Sequence, residues 1–194
     1  MDLSLIVRGI IKKRRTTPPE DFNGKKVDHQ IVQEILEAAN WAPNHGQTEP
    51  WRFIVYEYKK VAEFGQFHAD LYKNNTEPEQ FLQKKYDKLL HRADKASHVM
   101  IVYLKRTDRK NIPLNEEISA VSCAVQNMLL VATSHNVASY WGTGGMCYHP
   151  SMKEALKLEE EDMMMGFIFL GKIANDDFLD GKRNTSIADK TTWI

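Results

Sequence analysis

Asn40-Trp-Ala-Pro-Asn-His-Gly-Gln-Thr-Glu-Pro-Trp-Arg-Phe-Ile-Val55 is the stretch around which this chain of 194 residues is organised. A helical pattern runs out just before it, at Ala38–Ala39, and a strand pattern starts inside it, at Trp51. Pro43 and Pro50 each fix their own φ and bias the preceding residue away from the α region. Asn44, His45, Gly46, Gln47 and Thr48 are therefore offered by a stiff loop, a suitable place to hold a planar ligand. A plain surface connection between helix and strand is the other reading of the same residues.

Upstream, Val32, Ile35, Leu36 and Ala39 form the apolar face of the helix that delivers the loop. Asp28 is placed as its N-cap, with Val27 and Val32 positioned to close a hydrophobic staple across it. Further back, Leu3, Ile6, Val7, Ile10 and Ile11 recur at helical spacing, and Lys12-Lys13-Arg14-Arg15 close that helix. Cations complement the dipole of a last turn, but four in a row exceed that need. Thr16-Thr17-Pro18-Pro19 then adds two hydroxyls. Paired guanidinium groups beside hydroxyl donors match a phosphate monoester. A solvated basic helix end is the plainer alternative.

Downstream, Trp51–Tyr58 reads as a strand. Val61–Tyr72 and Glu79–Lys95 read as helices, a charged excursion over about 60–96 expected to be exposed, as a lid or an insertion. His98–Leu104 is a buried strand, and Glu116–His135 is the strongest helix, apolar over most of its circumference. Val137–Trp141 reads as a short strand running into Gly142-Thr143-Gly144-Gly145, followed by a helix around Ser151–Leu158 and a last strand, Met163–Leu170. The polar tail Asn175–Ile194 is expected to dock on a partner subunit. The order predicts an α+β fold over residues 1–194, one domain, with a central mixed or antiparallel sheet of about four or five strands flanked by helices.

Composition excludes several functions. Lys+Arg and Asp+Glu both number 26, so no net charge draws the chain to nucleic acid. An RNA-binding module using Lys12–Arg15 and Lys105–Lys110 is disfavoured on the same ground. No signal peptide pattern and no membrane-spanning run is visible, and two cysteines without a Cys-x-x-Cys suit a reducing cytoplasm. No metal site is expected, because the histidines form no His-Glu-x-x-His and no zinc spacing with cysteine. Cys123, on an apolar helix, reads as a core residue, and no nucleophile–base pair is evident. Gly142–Gly145 lets a backbone approach a ligand but matches neither a Rossmann nor a Walker pattern. A phosphate-suited cluster, a stiff polar loop and a glycine-rich strand end, without a catalytic side chain, suit a cofactor that carries its own chemistry.

Three of these segments resemble the nitroreductase family of FMN-dependent oxidoreductases. Arg14-Arg15-Thr16 is similar to its Arg-Arg-Ser/Thr signature, and Ala42-Pro43-Asn44-His45 through Pro50-Trp51-Arg52-Phe53 to its Pro-rich loop. Trp141-Gly142-Thr143-Gly144 falls at its flavin-contacting segment. The Pro-Asn-His loop is similar to the compact branch. The resemblance implies a domain-swapped homodimer with FMN at the subunit interface. It implies that Arg14, Arg15 and Thr16 hold the FMN phosphate and ribityl chain, joined by Arg183 from the tail. It further implies His45 at the flavin, Trp41 contributed from the other subunit, and Trp141, Gly142, Thr143 and Gly144 along the ring. The implied reaction is ping-pong: NAD(P)H passes a hydride to flavin N5, and a nitroaromatic, quinone or related acceptor then takes it in the same space. No catalytic side chain is implied. Gln47 and Glu49 depart from the family loop, which carries Asn and Gln before Pro-Trp. The rival readings are another flavin reaction on the same fold (dehalogenation, flavin destruction or dehydrogenation) and a non-catalytic flavin sensor.

Overall fold

The computed structural model describes residues 2–109, 111–174 and 181–194. Its helices are α1 (Leu3–Lys13), α2 (His29–Ala39), α3 (Val61–Asn74), α4 (Gln83–His91), α5 (Leu114–Ser134) and α6 (Pro150–Ala155). Its strands are β1 (Trp51–Glu57), β2 (His98–Leu104), β3 (Ala138–Gly142) and β4 (Met163–Gly171). They form one four-stranded sheet, in the order β1-β2-β4-β3, with every neighbouring pair antiparallel. The expected range thus resolves to four strands and to the antiparallel form. The parallel pairing among the described residues is an isolated bridge, Thr16 to Ser139.

Both faces of the sheet are covered, which is why β2 reads as an unbroken apolar run. Met100 and Val102 point to one face, where α2 and α5 contribute Val32, Ile35, Val121, Val125 and Met128. Val99 and Ile101 point to the other, against Phe64 and Tyr72 of α3 and Leu89 of α4. Residues 60–96 are thus no detached excursion: Phe64, Tyr72 and Leu89 make them the second covering layer, although most of 73–88 is exposed as expected. Nor is Glu79–Lys95 one helix. Phe81 and Leu82 are extended, and regular helix is confined to Gln83–His91.

The capping expectation holds for α2. The Asp28 carboxylate accepts from the Gln30 amide at 2.7 Å, and Val27 and Val32 are both buried. Cys123, by contrast, is exposed, while Cys147 is buried. Ala120, Val121, Ala124 and Val125 carry the inward face of α5, and helical phase turns Cys123 away from them. No residue of α1 is buried: Leu3, Leu5, Val7 and Ile11 all face outward.

Charge is also buried under the sheet's end. Arg106 pairs with Glu117, which is 1% exposed. Asp162 accepts from the Arg106 amide (3.0 Å), the Glu159 amide (3.1 Å) and the Lys105 ammonium (3.3 Å). These pairings absorb Lys105 and Arg106, so that run is not an open basic patch; Lys110 lies outside the described residues.

Candidate active site

The chain leaves α1 at Arg14, whose φ of −56° and ψ of 127° break the helix. Three residues on, the Thr17 amide donates to the Ser139 carbonyl at 2.9 Å. This lays Arg14-Arg15-Thr16 along the outer edge of β3. In a ladder, main-chain groups of alternate residues face the same side. Trp141 therefore turns its N–H and C=O to the edge that Ser139 uses. Arg14 and Arg15 are half-buried, and Arg15 donates to the carbonyls of Lys12 and Arg14. The tail crosses Arg15: a Cβ on Gly181 would lie 2.4 Å from the guanidinium carbon. Arg183, two residues further, is exposed and donates to the Lys182 carbonyl at 3.0 Å. Residues 175–180 of the expected docking tail lie outside the described residues.

Beside this edge is a cavity of about 410 Å³, lined by Tyr140, Gly142, Gly144 and Gly145, by Phe167 and Phe169, and by His68, Lys85, Lys88, Leu89 and Arg92. Its floor is aromatic and its helical wall cationic. A side chain at Gly144 would project into open space, so the bare backbone borders the cavity. Gly145, at φ +69°, has no such freedom, since a Cβ there would strike His68 Nε2 at 2.4 Å. The Arg92 guanidinium lies over the rings of Tyr140 (5.0 Å) and Phe169 (5.8 Å). His68 accepts from the Met146 amide at 2.9 Å through Nε2, so its proton sits on Nδ1, which is buried without a partner. Burial, and then the Arg92 charge, push its pKa down to about 4. His68 is a neutral imidazole at pH 7.

Trp141 reaches the opposite face of the sheet. Its indole donates to the Met165 carbonyl at 2.9 Å. Met165 is the extra residue of a bulge opposite the Val102–Tyr103 step, and Gly166 beside it takes φ +128°.

The other expected site residues are elsewhere. The loop carrying Trp41 and His45 precedes β1, the far edge strand, and three inter-strand spacings of about 4.8 Å separate β1 from β3. Within one chain, His45 and Trp41 do not meet Arg14, Arg15, Thr16 or Gly142–Gly144. The loop is held by hydrogen bonds and takes unusual backbone angles. Gly46, Gln47 and Glu49 take φ of 63°, 55° and 44°. Asn44 accepts from the Glu49 amide at 3.2 Å, and Arg109 donates to the Gly46 carbonyl. His45 pairs with Glu116 at 2.6 Å, and Trp41 is 79% exposed.

His68, Lys85, Lys88 and Arg92 were not among the residues singled out from sequence. The signal was present: Lys85, Lys88 and Arg92 are spaced to share one helical stripe. It reads equally as a solvated face until the opposite wall is known.

A sheet covered on both faces, with a cationic cavity at one edge and the end of the first helix laid along it, defines the class. The Nitroreductase family model matches residues 11–172, and the chain belongs to the nitroreductase family, a family of oxidoreductase enzymes. It is 26% identical over 189 residues to YfhC of Bacillus subtilis (strain 168), provisionally named an NAD(P)H nitroreductase, across 96% of this chain and 93% of that one. The crystal structure of a nitroreductase-like family protein from Bacillus cereus superposes with a TM-score of 0.82 at 27% identity, covering 97% and 95% of the two chains. The FMN-dependent nitroreductase NfnB of Mycobacterium smegmatis, in complex with NADPH, shares the fold at a TM-score of 0.74 and 16% identity over the full length of both. No helix among the described residues is long and apolar enough to cross a membrane, and no cluster of metal-ligating side chains is present among them.

Proposed function

We propose that the chain is an FMN-dependent NAD(P)H oxidoreductase acting as a cytoplasmic homodimer on nitroaromatic, quinone or related acceptors. One observation carries this reading. The Thr17–Ser139 bond brings the two arginines and the hydroxyl of helix α1's end to the same strand edge as the cationic, aromatic-floored cavity. The residues suit the group. Arg14, Arg15 and Thr16 form a phosphate-binding donor set, with Arg183 close in sequence to the tail segment that covers Arg15. Trp141, Gly142, Thr143 and Gly144 present main chain to a planar ring, and Arg92 supplies positive charge that favours an electron-rich one.

FMN held by these residues would supply the redox chemistry, taking a hydride from NAD(P)H and giving it to the acceptor. The chain itself binds, orients and keeps water from the ring. His68, neutral and with Nδ1 sealed, braces the Gly145–Met146 turn and supplies no proton. Trp41 and His45 complete the site from a second copy, because the sheet holds them on its other edge. NfnB, which has the same fold, was crystallised with NADPH, and its FMN dependence agrees with this assignment.

The test is spectroscopic. Purified protein should be yellow, with flavin absorption that NAD(P)H bleaches in the absence of oxygen. Replacing both Arg14 and Arg15 with alanine should release the flavin while leaving the circular dichroism unchanged. A double variant that keeps full flavin content after gel filtration would refute the phosphate assignment.

A further inference from the structure

A second cavity, of about 360 Å³, adjoins the first and shares Lys88 and Arg92 with it; Pro19, Glu20, His91, Asp94 and Lys95 line the rest. Lys85, Lys88 and Arg92 form a helical stripe about 10 Å long, and the turn after α4 extends it with Lys95. Its surroundings neutralise this row only in part, through Glu20 and Asp94. Among the described residues, none of the four cations forms an ion pair. Lys85 lies over the Tyr72 ring and Arg92 over Tyr140, while Lys95 donates to the main-chain carbonyl of Glu20 at 2.7 Å. Of the acids near the row, Asp94 is engaged by His91 at 3.0 Å and Asp87 accepts from Gln83 at 2.7 Å, while Glu20 lines the second cavity. In a protein whose charges sum to zero, four cations against Glu20 and Asp94, beside two cavities that share Lys88 and Arg92, make a locally positive site suited to an anion.

We propose that this row, running from the ring cavity into the second cavity, recognises the 2′-phosphate of a nicotinamide dinucleotide and makes NADPH the preferred electron donor over NADH. The inference rests on the flavin reading above, which puts the flavin ring at the first cavity and so the nicotinamide that reduces it against that ring. The flavin's own phosphate is assigned to Arg14–Thr16, which leaves the row for another anion. NADPH and NADH differ by one phosphate monoester carrying nearly two negative charges, and a row of unpaired cations responds to that difference. Lys88 and Arg92 belong to both cavities, so they couple ring placement to phosphate recognition. Lys95 belongs to the second cavity alone.

Lys95 is exposed, so its replacement leaves the fold intact, and the flavin-loaded protein can be assayed directly. Steady-state rates with a quinone acceptor are measured with NADPH and with NADH, for wild type, Lys95→Gln and Lys95→Glu, alongside flavin per chain. Wild type should prefer NADPH. Lys95→Gln should lower kcat/KM for NADPH about three- to fivefold through KM, the weight of one partly exposed charge pair. Lys95→Glu should lower it further, while NADH rates stay within about twofold by the same reasoning. Adenosine 2′,5′-bisphosphate should compete with NADPH in wild type and not in Lys95→Glu, whereas 5′-AMP should compete in neither. Parallel changes for both dinucleotides, or a wild type indifferent to the 2′-phosphate, overturn the proposal while the flavin reading stands. Flavin loss from the Lys95 variants also overturns it, since the row would then hold FMN. A wild-type protein that takes up no flavin refutes the parent reading itself.

Discussion

The Thr17 amide and the Ser139 carbonyl, 2.9 Å apart, join residues 122 positions apart in sequence. Their bond extends the edge of β3 by one short parallel contact and sets the phosphate-suited end of α1 beside the glycines that end the strand. One main-chain hydrogen bond thus assembles half of the proposed site. The other half, with His45 and Trp41, stays on the opposite sheet edge.

That division predicts an obligatory dimer. Helix α1 buries none of its apolar residues in its own chain, with Leu5 60% and Ile11 49% exposed. An apolar stripe of this size left in water marks a contact surface. Replacing Leu5 and Ile11 together by glutamate should give a monomer by light scattering, with the flavin lost. Equal mass for variant and wild type would show that α1 is not the interface.

Gly166→Ala should be severely destabilising. At φ +128° a Cβ would sit 2.6 Å from Trp141 Nε1 and 2.9 Å from the Gly142 carbonyl. The backbone strain and the clash together should cost about 2–4 kcal/mol. Thermal and denaturant unfolding measure it; a change under about 0.5 kcal/mol, the range of an ordinary surface substitution, would contradict the bulge geometry.

His68 should make stability fall with acid. Its ordinary pKa of 6.5 is held down to about 4 in the folded state, by burial first and by the Arg92 charge second. The unfolded chain therefore binds the proton first as pH drops. The stabilisation is fully present above about pH 6.5, shrinks as pH falls towards 4, and is gone below it, a loss of up to about 3 kcal/mol. His98, also lowered chiefly by burial, acts in the same direction. In His68→Gln, which keeps an acceptor for the Met146 amide, unfolding free energy should slope less between pH 6.5 and 4. An unchanged slope would show that His68 is not neutral in the fold.

Breaking the Arg106–Glu117 pair should cost more than removing it. Glu117→Gln leaves the Arg106 charge in a site where only 14% of its side chain is exposed. A penalty of about 3–5 kcal/mol is expected. The double change Arg106→Met with Glu117→Leu should cost less than either single change, as read from urea midpoints. A double variant no better than the singles would mean that the pair, not its desolvation, sets the balance.

Much of the fold is written locally. The bounds of β2 follow from its apolar run, and the cap of α2 from Asp28, with Val27 and Val32 both buried beside it. The failures have a common cause. Cys123 looked internal because α5 is apolar on most sides, yet helical phase turned it outward. Residues 60–96 read as a detached excursion because α4 is charged, and 73–88 is indeed mostly exposed, yet Phe64, Tyr72 and Leu89 anchor the layer to the sheet. Which face of an amphipathic element is covered depends on what lies opposite, and that is a non-local fact.

By itself the sequence determined most of the elements, the loop between two prolines and the basic end of α1. Those follow from φ restriction, hydrophobic period and residue chemistry, all short-range. Only the tertiary structure decided that the end of α1 meets β3, that Lys85, Lys88 and Arg92 wall a cavity, and that His45 lies a sheet's width away. Those depend on strand order, β1-β2-β4-β3, which is set by burying both sheet faces at once and by no single stretch of the chain.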